Sequence, residues 1–115
     1  MDLMKRIFEI VHHGAVDGVT GSCHQLFFGS GEGDTRDSIL IDCGLFQGAE
    51  LATDRSEQDQ LKIDFSVENI KALVVTHVHV DHVGRIPYLL AAGFRGLIYC
   101  SRPSAELLPL VLEDA

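Results

Sequence analysis

Apolar positions in this chain fall into short β-branched and aromatic runs separated by glycines and acidic residues, and only towards the C-terminus does the spacing become helical. Ile7, Phe8, Ile10 and Val11 predict a first strand over Lys5 to His12. His13 to Gly21 reads as a loop punctuated by Gly14, Asp17, Gly18 and Gly21. Cys23 to Phe28 predicts a second strand, Gly29 to Asp37 a solvated turn, and Ser38 to Asp42 a third strand ending on a carboxylate. Leu45 to Phe65 is polar and loop-like, with a short helix expected near Ser56 to Leu61 and a single turn over Ser66 to Ile70 capped by Ser66. Lys71 to Thr76 contains Ala72-Leu73-Val74-Val75 and reads as a buried strand.

Beyond it, Ile86, Leu89 and Leu90 have helical spacing. Pro87 suits a first turn, so the helix is expected to begin close to Gly84, and Gly93 to end it. Leu97 to Cys100 predicts a short strand. Pro103 then opens a helix with Leu107, Leu108, Val111 and Leu112 on one face and Pro109 as an interruption; the pattern is still running at Ala115. The order β-β-β then β-α-β-α implies an antiparallel meander feeding a crossover unit: an α/β (α+β) fold with a mixed sheet and helices on one face.

The polar residues that break this pattern most sharply are His77, His79, Asp81 and His82. They follow the buried strand directly, and the gaps among them hold only Val78 and Val80. Valines do not solvate a polar cluster, whereas imidazole and carboxylate are ordinary ligands for a divalent metal. His77 and His79 are two apart, so in extended chain they share a face and can share one metal; Asp81 and His82 follow a change of direction and can serve a second. A helix-capping role for Asp81 is the plain alternative. No zinc-finger Cys/His spacing is present, and open His/Asp-rich sites suit hydrolysis. Asp42, at the end of its strand, reads on its own as a turn former. His12, His13 and His24 flank strand ends, where exposed side chains are expected.

Composition constrains the rest. The chain has 115 residues, room for one domain, and 46% hydrophobic content, enough for a core. No apolar run is long enough to span a bilayer, and the N-terminus lacks signal-peptide organisation, so a cytoplasmic protein without membrane contact is expected. Cys23, Cys43 and Cys100 form neither a disulfide framework nor a CxxC pair and are expected to be reduced; a ligand role for Cys23 or Cys100 is the lesser alternative. The net charge of −8 argues against this stretch gripping a polyanion by itself.

HxHxDH after a hydrophobic strand resembles the metal motif of the metallo-β-lactamase fold. The flanks, Thr76 and Gly84-Arg85-Ile86-Pro87-Tyr88-Leu89, resemble its β-CASP branch of RNA-processing nucleases. The likeness extends to Val19-Thr20-Gly21-Ser22, Ile41-Asp42-Cys43-Gly44-Leu45-Phe46-Gln47-Gly48, Gly93-Phe94-Arg95-Gly96 and Leu110 to Ala115. It implies that residues 1–115 are the N-terminal part of a metallo-β-lactamase domain, the first half of an αββα sandwich. The second half and the β-CASP insert would be absent, together with the remaining metal-binding histidines and a bridging aspartate. In the complete protein the resemblance implies two zinc ions held by His77, His79, Asp81, His82 and ligands beyond this sequence. Only through the likeness of Val19-Thr20-Gly21-Ser22 does it imply that one of His12, His13 or His24 approaches the site. A di-zinc-bound hydroxide would attack an RNA phosphodiester, with Asp81 at the catalytic centre and Asp42 orienting ligands from beneath. The chain alone would then be inactive, with a sheet face left bare for self-association. Two readings compete: another hydrolase of this fold, acting on a thioester, lactone or small phosphoester, and a non-catalytic binding domain.

Overall fold

The computed structural model describes residues 8–15, 20–29, 31, 35–47 and 61–114. Five strands form one sheet in the order β1-β2-β3-β4-β5: Phe8–Gly14, Cys23–Phe28, Asp37–Ile41, Ile70–Val74 and Leu97–Tyr99. The first two pairings are antiparallel and the last two parallel, so the expected meander and crossover unit are both present. Helices α1 (Val80–Val83) and α2 (Ile86–Ala91) lie between β4 and β5, and α3 (Arg102–Asp114) follows β5.

Alternation along the strands decides what is buried. Cys23, Leu40 and Leu73 point to one face and pack with Val83, Ile86, Leu89 and Phe94 from the helical side. Fully burying one such side chain stabilises by about 1.5–3 kcal/mol, so this layer holds the sheet and helices together. Gly93, at φ 114°, closes α2; its N–H donates to the Leu90 carbonyl. On the other face, Ile10, Leu26, Ile39, Ala72 and Leu97 lie side by side across all five strands. Ile10 and Leu97 there are 56% and 66% exposed.

Several expected boundaries move. β1 continues through His13 and Gly14, because the pairing with β2 shifts register after His12 and brings Gly14 opposite Cys23. β3 ends at Ile41, and Asp42 turns out of the strand at φ 64°. The change of direction before Asp81 is a helical turn, α1, too short for periodicity to signal. Ser66 Oγ accepts from the Glu68 N–H, but the turn there is not helical and Ile70 already opens β4. The helix expected near Ser56 to Leu61 lies outside the described residues apart from Leu61, as do Lys5 to Ile7, Val19, Gly48, most of the turn after Gly29, and Ala115.

Pro109 does not interrupt α3, which runs unbroken from Arg102 to Asp114. An interior proline costs about 3 kcal/mol. Ser104 is buried, and Leu108, Val111 and Leu112 pack against the core on the same helical face, which offsets that cost. Leu107 is not part of the face; it is 48% exposed.

Candidate metal centre

The parallel strands β3 and β4 end together, and the site is built where they end. Ile41 pairs with Val74, so Asp42 and Thr76 emerge side by side. Asp42 adopts a left-handed backbone conformation, which aspartate tolerates better than most residues, at a cost of about 1–2 kcal/mol. The turn keeps its carboxylate inside, 2% exposed. The Thr76 N–H donates to Asp42 Oδ1 at 2.8 Å and the Thr76 hydroxyl to Oδ2 at 2.7 Å. The Ser22 hydroxyl reaches Oδ2 at 3.3 Å, and His82 Nδ1 lies 2.7 Å from the same oxygen. A buried carboxylate with this many donors is fully satisfied.

The carboxylate also fixes a tautomer. It can only accept, so His82 Nδ1 carries the proton and Nε2 keeps its lone pair. His82 Nε2 then stands 3.6 Å from Asp81 Oδ2. His77 is placed in the same way: its Nδ1 is 3.3 Å from the Thr76 hydroxyl oxygen, whose own proton goes to Asp42. The rings of His77 and His82 have centroids 3.7 Å apart. One ligand atom from each of His77, Asp81 and His82 falls within a cluster no wider than 4.8 Å. Two imidazole rings and a carboxylate converging at that spacing, with His82 Nδ1 held by Asp42 and its Nε2 turned to Asp81, fit a divalent metal.

His79 lies outside that cluster. It stands edge-on to His77, centroids 4.9 Å apart, and is exposed. The grouping thus joins His77 to Asp81 and His82 and sets His79 at its rim, whereas spacing alone pairs His77 with His79.

The ligand turn is held by backbone. The Cys43 N–H donates to the His82 carbonyl at 2.8 Å, the Leu45 N–H to Val80 at 2.9 Å, and the Ser22 N–H to Asp81 at 3.0 Å. The Gly44 N–H in turn donates to the Ser22 carbonyl at 2.9 Å. Gly44 allows this lacing, since a Cβ there would run into the Asp81 carbonyl. Beneath Asp42, Cys23 and Cys43 are both fully buried. Their mutual hydrogen bond, with burial, pushes the Cys23 thiol up and keeps it protonated. Neither Cys23 nor Cys100 belongs to the converging cluster, and neither forms a disulfide.

Of the other histidines, His24 lies within electrostatic reach of the site. Burial and the neighbouring His12 lower its pKa, and it also feels the charges of Asp42 and His82. His12 and His24 share a hydrogen bond, Nδ1 to Nδ1, of 2.7 Å. His13 turns to the core face instead, bonded to Gln25 Oε1 at 2.7 Å and stacked on Phe65. Thr76 and Ser22 are the supporting residues that sequence reasoning did not single out. Only a hydroxyl directly before the first histidine hinted at Thr76.

Comparison with known proteins follows this geometry. The profile of the metallo-beta-lactamase superfamily matches residues 21–115. "Ribonuclease TTHA0252" of Thermus thermophilus is 41% identical over 107 residues, which is 93% of this chain and 22% of that protein. "Transcription termination factor FttA" of Methanocaldococcus jannaschii is 41% identical over 81 residues, 70% of this chain and 12% of that protein. "Cleavage and polyadenylation specificity factor subunit 3-II" of Arabidopsis thaliana is 36% identical over 78 residues, 66% of this chain and 13% of that protein. The chain thus spans less than a quarter of the length of each of these relatives.

Proposed function

The chain belongs to the metallo-β-lactamase superfamily, and on that premise we propose that it contributes part of the metal centre of a β-CASP-type hydrolase that cleaves RNA phosphodiester bonds. The observation that carries this reading is the bond from His82 to Asp42, which leaves Nε2 of His82 bare beside Asp81 and His77. The relatives named for ribonuclease, transcription termination and cleavage and polyadenylation support RNA as the substrate.

His77, His79, Asp81 and His82 are the ligands this chain offers, and zinc suits their mix of imidazole and carboxylate. When bound, the metal supplies Lewis acidity and an acidified water, and a pair of metals would serve both the attacking and the leaving oxygen. The protein's own part is positional. Asp42 and Thr76 hold the ligand nitrogens in place before substrate arrives, which fixes the geometry that in-line attack requires. Asp81, the one carboxylate among the three converging side chains, is the residue we assign to the catalytic centre. The acidic balance of −8 implies that most RNA contacts come from elsewhere in the complete protein. Free cysteines agree with a cytoplasmic setting.

That same acidity is the one observation favouring a different substrate, a small ester or thioester that needs no basic track. The test is direct. The complete protein, loaded with zinc, is assayed against single-stranded RNA and against a thioester and a lactone, with and without chelator. Chelator-sensitive RNA cleavage supports the proposal; hydrolysis of the small substrates alone, with metal bound, would replace it.

A further inference from the structure

We propose that Arg85 is a positioning residue for the metal centre, a clamp that holds the loop after Asp42 against the turn that carries Asp81 and His82. The inference rests on the metal-centre reading above. By residue type, an arginine three positions past a metal-binding histidine invites reading as a phosphate contact. Its burial forbids that: Arg85 is 3% exposed.

Its bonds go inward instead. The backbone N–H of Arg85 donates to the Cys43 carbonyl at 2.9 Å, a bond any residue there could make, and the side-chain Nε donates to the Gly44 carbonyl. Nη1 reaches the Lys62 carbonyl at 3.3 Å, and the guanidinium carbon lies 5.0 Å from the centroid of the Phe46 ring. Of the three side-chain anchors, Gly44 and Phe46 lie in the loop immediately after Asp42. The same loop donates backbone bonds to the His82 and Val80 carbonyls, and through Ser22 it is tied to Asp81. Asp42 and the ligands it orients are thus carried by two segments, and Arg85 belongs to one while gripping the other.

The energetics point to geometry rather than stability. Removing a cation from water costs several kcal/mol, and a carboxylate normally offsets it. Among the described residues Arg85 has no carboxylate partner, and its Nη2 has no hydrogen-bond partner. Neutral carbonyls hold it. What a planar fork supplies that an apolar side chain cannot is a fixed spacing between two carbonyls from distant parts of the chain.

Arg85→Lys in the complete protein keeps the charge and removes the fork. Zinc affinity, measured by competition with a chelator, is expected to fall on the order of 10-fold, the lower end for loss of a group that orients ligands. The d–d absorption band of the cobalt-substituted protein is expected to change shape, with far-UV circular dichroism unchanged. Phe94→Leu is the control: Phe94 is just as buried but outside the clamp, so its loss lowers Tm and leaves affinity and band alone. Parental affinity and band in Arg85→Lys overturn the proposal, and so does an equal change in Phe94→Leu. If Arg85→Lys does not fold, Phe46→Leu removes only the aromatic platform; a smaller loss of affinity in the same direction supports the clamp, and none overturns it. A parent protein that binds no zinc defeats the metal-centre reading itself, a result distinct from both.

Discussion

Asp42 and His82, forty residues apart in sequence, meet through a 2.7 Å contact between Oδ2 and Nδ1, and that contact decides which histidine nitrogen faces the metal cluster. Aspartate can only accept here, so the proton is assigned to Nδ1 by the protein rather than by solvent.

Asp42→Asn tests that assignment. The amide fits the same space and tolerates the left-handed backbone, so the fold is expected to survive. Its neutral group binds His82 and Thr76 less strongly, and zinc affinity is expected to fall on the order of 10- to 100-fold. Titration against a competing chelator measures it. Wild-type affinity would reduce Asp42 to an ordinary turn former.

His77→Ala is expected to abolish hydrolysis in the complete protein and to release about one metal equivalent, because the cluster loses one of its converging nitrogens. Elemental analysis of the purified variant decides it. Unchanged metal content would mean that His77 is not a ligand.

The pH dependence of stability should carry the mark of His24. Its pKa in the folded chain lies below the ordinary value of 6.5, through burial and the adjacent His12. As pH falls below that ordinary value, the unfolded chain takes up a proton that the folded chain refuses, and stability drops. The loss is complete once pH passes below the folded pKa. His24→Gln should flatten the fall in Tm across this acidic window and leave Tm near pH 8 much as in the parent. An unaltered slope would assign the acid sensitivity to other groups.

The 115-residue chain by itself is expected to bind zinc weakly, to cleave no RNA and to self-associate. Its converging cluster offers three side chains with His79 at the rim, short of what two catalytic metals use. The row Ile10, Leu26, Ile39, Ala72 and Leu97 leaves an apolar strip in water, which invites a partner surface. Sedimentation at micromolar concentration and an RNA assay with added zinc test both halves. A monomer that cuts RNA would show that fewer ligands suffice.

How much of this was legible in the sequence depends on how local each feature is. His77, His79, Asp81 and His82 lie close together in one short stretch, so their chemistry could be read from residue type and spacing. The core strand Cys23–Phe28 was readable to the residue, since its flanks are turn-forming. The role of Asp42 was readable only as a choice between turn and support. The support role became visible once Thr76, Ser22 and His82 were seen to converge on it. Thr76, Ser22 and Arg85 were obscure because their work depends on which loops meet in space. Pro109 misled for the opposite reason: a sound local rule was overridden by the packing of Leu108, Val111 and Leu112. Leu107 has the same apolar character as those three and simply points elsewhere.

The parallel pairing of β3 with β4 governs how the chain reaches this state. The β1-β2-β3 meander joins neighbours in sequence, but Asp42 and Thr76 are 34 residues apart, and the loop between them must close before they touch. Closing such a loop costs entropy that only the finished sheet repays, so this pairing is expected late on the folding route. The ligand cluster, whose histidines are ordered through Asp42, then assembles after the rate-limiting step. Added zinc should therefore slow unfolding while leaving the folding arm of the chevron in place, a division that stopped-flow kinetics on the metal-binding protein can resolve.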